Sequence, residues 1–274
     1  MPGGKEFLQK FEDKQTLIKL DHKLQKGEDL TKEELSFLYE LDRPIATLDT
    51  YNNKDPRILE LREKYGIEYA LEKGVDVNKL VSSLDLDDVL ENLDTLLRNG
   101  ADIDVNKLAS NLGRYYTAHY LDTLLRNGAD IDVNELVSNL RPGDTAHYLD
   151  TLLRNGADID VNKLVSNLGQ YQIVSHLDTL LRNGADIDNI LSNMNPGDIV
   201  HNLDALLRNG ADIDVNELVS NLRPEYIVHN LDALLRNGAD IDNVIKKMYK
   251  EDIEDNIDLL REYGAKLDSY QENN

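Results

Sequence analysis

The stretch LDTLLRNGADID at residues 121–132 decides the fold, because the same twelve residues also begin at Leu93, Leu149 and Leu177. It returns as LDALLRNGADID at Leu203 and Leu231, so successive copies are spaced 28, 28, 28, 26 and 28 residues apart. Self-similarity at a fixed short period is the signature of a repeat protein. A degenerate copy opens at Ile67 (IEYALEKGVDVNKLVSSL) and another at Asn256 (NIDLLREYGAKLD), as expected of units that must close the array against water.

Let the first Leu of each copy be position 0. Apolar residues recur at −4, −3, 0, +3 and +4, for example Ile199, Val200, Leu203, Leu206 and Leu207. That period predicts one long amphipathic helix. Gly at +7 marks its left-handed C-cap. A shorter helix, VNELVSN in the copy at 133–139, follows Asp132 as N-cap. Glu135 completes a capping box there, and Ile131 with Leu136 forms a hydrophobic staple. Asp214 and Glu217 repeat the device. Each unit is thus expected to be a short helix and a long helix that cover their apolar faces on neighbouring units.

The fold class is all-α: an α-solenoid of ~28-residue helix pairs with helical caps at both ends. Residues 1–66 form the N-terminal cap, 67–248 the array, and 249–274 a capping helix and tail. In the leader, Thr31 and Glu34 make a capping box for a helix running through Phe37, Leu38 and Leu41, and Pro56 opens a further helix. Two units are shortened by two residues, DIDNILSNM at 186–194 and DIDNVIKKM at 240–248.

Composition narrows function. With no Cys there is no disulfide, thiolate metal site or thiol nucleophile. No GxxxxGK[ST], HExxH or GxSxG occurs, no catalytic residue is expected, and no cofactor either. No apolar run approaches the ~20 residues of a membrane span, and the first residues lack a signal-peptide core, so a cytoplasmic protein is expected. Net charge is −22; residues 1–66 hold 12 of the 30 basic and 14 of the 52 acidic residues, leaving about −20 on residues 67–274.

Asp130, Asp132 and Asn134 resemble the start of a calcium loop, but Arg141 stands where its last carboxylate belongs, so capping is expected and no metal site. Asp at +1 and Arg at +5 recur as i,i+4 partners that could also bridge stacked units. His at −2 (His119, His147, His201, His229) is expected to form a hydrogen-bonding ladder along the repeats.

Variation between copies gathers at the connection before the long helix and at −1. The connections read GRYY (113–116), RPGD (141–144), GQYQ (169–172), NPGD (195–198) and RPEY (223–226). On one continuous helix, −5, −1 and +2 fall within about 60° of each other, opposite the apolar stripe. Variable Tyr, His and Asn on an exposed stripe suit recognition. The candidate contact residues are Tyr115, Tyr116, Tyr120, Tyr148, Tyr171, His176, Asn202, Tyr226 and Asn230.

The stretch VSNLGQYQIVSHLDTLL (165–181) resembles one repeat of the TAL-effector-like family, through Ser166, Asn167, Leu168 and Gly169 in the loop and Leu177, Leu180 and Leu181 after it. The leader resembles N-terminal segments of uncharacterised bacterial repeat proteins. The TAL-like resemblance implies a short helix, a loop, a long helix and DNA reading from the loop. In that family the two loop residues beginning at this Asn read bases; here the second of them is Leu112, Leu140, Leu168, Met194 or Leu222, and the unit is about six residues shorter. Residues 67–274, carrying about −20, also repel phosphates rather than neutralise them. The leading expectation is a non-enzymatic protein-interaction scaffold with a basic protein partner. The alternatives are a TAL-like nucleic-acid-binding array, or an acidic mimic of nucleic acid that blocks a DNA- or RNA-binding protein.

Overall fold

Asn and Asp at helix ends determine where each element starts and stops. In the computed structural model, which describes residues 4–46 and 55–267, Asp132 closes Val133–Asn139 by accepting the Asn134 and Glu135 N–H groups at 2.9 and 3.0 Å. At the other end the Asn139 amide donates to the Glu135 carbonyl, 2.9 Å away. The same end-capping Asn recurs at +6, where Asn127 donates to the Thr123 carbonyl and Asn155 to that of Thr151, both at 2.8 Å. Gly128 then takes φ 87°, which an L side chain resists. The N–H groups of Gly128 and Ala129 fold back to the Leu125 and Leu124 carbonyls, a Schellman ending.

The expected capping boxes at Asp132/Glu135 and Asp214/Glu217 are half-formed: both Asp residues cap, but no reciprocal bond from either Glu occurs among the described residues. A box there would bring two carboxylates together. At neutral Thr31 the box with Glu34 is complete.

The protein is 69% helix with 25 helices and no strand among the described residues, an all-α repeated arrangement as expected of a solenoid. One expectation is corrected. The long helix of each unit is two six-residue helices, such as Pro142–His147 and Leu149–Arg154, so a unit contains three helices. The break falls at −1, where Tyr120, Tyr148 and His176 adopt φ of −99°, −100° and −120° with ψ of 16–17° or less. This is the sparsely populated bridge region between helix and strand. In the Asn copies the side chain closes the break, since Asn92, Asn202 and Asn230 donate to the carbonyl four residues back at 2.8–2.9 Å.

The chain falls into two compact units, one comprising Met1–Gly113 with Tyr120–Ile131 and the other Arg114–His119 with Asp132–Asn274. In the first, the leader helices Gly4–Lys26, Lys32–Leu38 and Pro56–Lys64 supply Leu17, Leu20, Leu35 and Leu61 to one core with Leu80, Val89 and Leu96 of the first repeats. Asp13, 2% exposed, is held by both Nη atoms of Arg43 at 2.8 and 2.6 Å and by the Ala46 N–H. The expected helix through Leu41 stops at Leu38, and Glu40 enters the left-handed region at φ 57°.

In the second unit, Ile253, Leu260 and Leu267 complete a core with Val244, Ile245 and Leu234, which is how a C-terminal cap covers the last repeat. The tail assigned beyond residue 267 lies outside the described residues. No helix among the described residues is long and apolar enough to cross a membrane.

Candidate interaction surface

Neighbouring repeats are tied by two polar rows. In the first, the Asn at +13 of one copy accepts the backbone N–H of the Asp at +9 in the next. Asn106 takes Asp130, Asn134 takes Asp158, Asn162 takes Asp186 and Asn216 takes Asp240, all at 2.7–2.8 Å. Sequence reasoning missed this row, although the Asn that follows Val at +12 in every full-length copy was its signal. In the second, the Asp at +1 receives the Asn at +6 and the Arg at +5 of the following copy. Asn127 and Arg126 reach Asp94 at 2.5 and 3.1 Å, and Asn237 and Arg236 reach Asp204 at 2.7 and 2.6 Å. Asn183 and Arg182 hold Asp150 in the same way. The Asn183 and Asn237 bonds, then the guanidinium groups, hold the Asp150 and Asp204 carboxyls below the usual carboxylate range. The Asp/Arg positions therefore bridge between neighbouring repeats, and Arg236 also pairs within its own helix with Asp232.

The candidate contact residues divide. Tyr171 is 84% exposed, and Tyr115, Tyr116 and Tyr226 are also exposed. Tyr148 is not: it is 7% exposed, its ring 5.4 Å from Tyr115 and its hydroxyl 3.2 Å from His119 Nδ1. Tyr120 is half-buried against the Leu90–Leu93–Leu124 cluster. His176, Asn202 and Asn230 are half-buried as well. The expectation that −1 shares an exposed stripe with −5 assumed a straight helix; the bend at −1 turns that residue toward the neighbouring repeat instead.

The His row is only partly a ladder of one kind. His119 meets Tyr148, and His201 Nδ1 lies 3.1 Å from Asn230 Oδ1, each bridging from −2 to the next copy's −1. His229 instead bonds the Glu225 carbonyl at 2.6 Å. His147 and His176 meet edge to face at 5.7 Å. Burial, then the nearby His147, pushes the His176 imidazole below its ordinary value.

Variation at −6 and −5 has a packing cause. The Gln172 side chain lies over Gly143, and the Tyr226 ring over Gly197, one repeat earlier. A long residue at −5 thus sits on a Gly at the preceding −6. Where that −6 residue bears a side chain, as with Tyr115, Tyr171 and Glu225, the following −5 is Asp144, Asp198 or Asp252. The rule holds at all five such pairs of the second unit.

The Asp pairs at +9 and +11 remain. In the second unit Asp158, Asp160, Asp186, Asp188, Asp212, Asp214, Asp240 and Asp242 are exposed, and none belongs to an ion pair among the described residues. Asp160, Asp186, Asp214 and Asp240 accept backbone N–H groups as helix caps. Among the described residues no three His, Asp or Glu side chains stand close enough together to hold a metal ion. The residues at the second loop slot, Leu140, Leu168, Met194 and Leu222, are buried, and Asn139, Asn167 and Asn221 before them cap their helices. No protein-family model, curated protein or solved structure matches the chain.

Proposed function

We propose that the chain is a non-enzymatic, cytoplasmic α-helical repeat scaffold that binds a basic protein partner along the Asp edge of its repeats. The observation that carries this reading is the row of eight exposed carboxylates in the second unit, two per repeat, with no cation paired to them among the described residues. Arginines at +5 reach carboxylates at +1, so the Asp/Arg positions largely neutralise themselves while the +9/+11 edge keeps its charge. Caps and the Asn row hold the backbone under these carboxylates, so a partner meets preordered charges. Such an edge speeds encounter with a basic surface and repels phosphates. A partner whose basic face ordinarily meets nucleic acid falls within the same class.

The test is binding of a lysine-rich peptide to the full chain, compared with mixed-sequence duplex DNA and single-stranded RNA. Affinity for the peptide is expected to fall steeply between about 50 and 500 mM salt, as screening shortens the reach of each charge. Replacing Asp158, Asp160, Asp186 and Asp188 with Asn should weaken it at low salt. Binding of either nucleic acid at about 150 mM salt would overturn the reading.

A further inference from the structure

Arg141 and Arg223 occupy the same repeat position, at the head of the connection before the first six-residue helix. Three residues after Arg141, Asp144 takes its guanidinium, with Oδ2 2.8 Å from Nε and Oδ1 3.3 Å from Nη2. In the later copy that residue is Tyr226. Arg223 is exposed and makes no ion pair or side-chain hydrogen bond among the described residues. Beside it is a cleft of about 270 Å³ lined by Asn195, Asn221, Arg223 and Tyr226, with Gly197 and Leu222 as its buried floor. No carboxylate lines it, although the chain carries −22.

The polar groups facing this hollow are mostly donors. The Asn195 side-chain Oδ1 accepts the Asp198 N–H at 2.9 Å, which leaves the side-chain amide N–H groups uncommitted among the described residues. Asn221 spends one N–H on the Glu217 carbonyl. Arg223 presents a planar fork, which matches a carboxylate through two parallel bonds. The Tyr226 ring supplies a flat apolar wall. At about 270 Å³ the cleft falls just below the usual range for small-molecule sites, which suits a single-ring ligand.

We propose that this cleft binds a small planar carboxylate, its carboxyl group on the Arg223 guanidinium and its ring against Tyr226. The site is separate from the Asp edge, and the opposite charge of its ligand keeps the two readings independent. Tyr226 in place of Asp creates it: the repeat position that neutralises Arg141 in the earlier copy here provides the aromatic wall.

The experiment is titration of the full chain with benzoate, benzamide and phenyl phosphate, followed by NMR shifts of the Asn195, Asn221 and Arg223 side-chain N–H groups. Benzoate should saturate in the millimolar range, with benzamide at least tenfold weaker, about the cost of losing one charge-assisted contact. Arg223→Gln and Tyr226→Asp should each weaken benzoate at least tenfold, whereas Arg141→Gln should leave it unchanged. Tyr226→Asp recreates the Arg-Pro-x-Asp sequence already folded at 141–144, and an unchanged circular dichroism melt keeps that variant interpretable. Benzoate binding that survives Arg223→Gln, or no saturation up to about 50 mM, overturns the proposal. Phenyl phosphate bound tenfold tighter than benzoate overturns the carboxylate assignment in favour of phosphate monoesters.

Discussion

The ring of Tyr226 lies so close over Gly197 that a β-carbon on that glycine would come within 2.8 Å of its Cε1 and Cζ atoms. Gly197 sits at the start of a right-handed helix, so space, and not backbone conformation, is what requires glycine there. Gly197→Ala is therefore expected to destabilise the chain by about 1–3 kcal/mol, the usual cost of overpacking. Tyr226→Asp in the same chain should recover most of it, since Asp follows every side-chain-bearing −6 residue in this unit. Urea denaturation of the two single variants and the double variant measures the coupling; additive losses would contradict the packing rule.

Tyr148 and Tyr171 should respond oppositely to truncation. Tyr148→Ala empties a site that is 7% exposed, between Tyr115, His119 and His147, and is expected to cost on the order of 3 kcal/mol. Tyr171→Ala, at 84% exposed, should stay within about 0.5 kcal/mol of the parent. Thermal melts of both variants decide it.

The half-buried His176 makes stability pH-dependent in a defined direction. Its folded-state pKa is lowered from the ordinary 6.5, by burial first and His147 second, so the unfolded chain takes up its proton before the folded chain does. Stability is thus fully present above about pH 6.5 and declines as pH falls below it. His176→Asn, the residue found at this position in Asn202 and Asn230, should flatten that decline relative to the parent in melts between pH 7.5 and 5.5.

The Asn row between repeats can be tested one link at a time. Asn162→Ala removes the acceptor for the Asp186 N–H, while the bond that the Asn189 amide donates to the Asn162 backbone carbonyl stays in place. A loss of about 0.5–1.5 kcal/mol is expected, because water can reach the exposed N–H. Asn162→Asp keeps an acceptor oxygen and should lose less. Equal losses in chemical denaturation would mean that the amide acts through something other than this bond.

Calcium, magnesium or zinc at low micromolar concentration should leave the melting temperature unchanged. Asp132 is committed to the Asn134 and Glu135 N–H groups, and the Asn134 oxygen to that of Asp158, so two of the three residues that resemble a calcium loop are already in use. A saturable rise in melting temperature with any of the three ions would show that these bonds yield to a metal.

Most of the architecture was legible because it is written in periodic apolar residues and in Gly, Asp and Thr at helix ends. The helix break at −1 was not. Apolar residues keep the same period through it, and Asn, Tyr or His there gives no sign comparable to Pro or a mid-helix Gly. That one unseen bend is also why Tyr120, Tyr148, His176, Asn202 and Asn230 were placed on an outer stripe. The connections were legible as variable, yet a single strip of sequence does not reveal that Gly143 and Gln172, or Gly197 and Tyr226, vary together. That relation exists only once the repeats are stacked.

The Gly and Asp pairing at −6 and −5 alternates along the second unit, and this bears on how such an array could have grown. Removing a glycine-bearing repeat alone would set a long −5 side chain against a neighbour with no glycine to receive it. Removing Arg141–Leu168, for instance, would bring Tyr115 next to Gln172, whereas removing 141–194 would bring it next to Asp198. A glycine-bearing repeat and the one after it therefore form a module of two repeats, the first leucines being spaced 56 residues from Leu121 to Leu177 and 54 from Leu177 to Leu231. An array that sheds a glycine-bearing repeat should therefore shed the repeat after it as well.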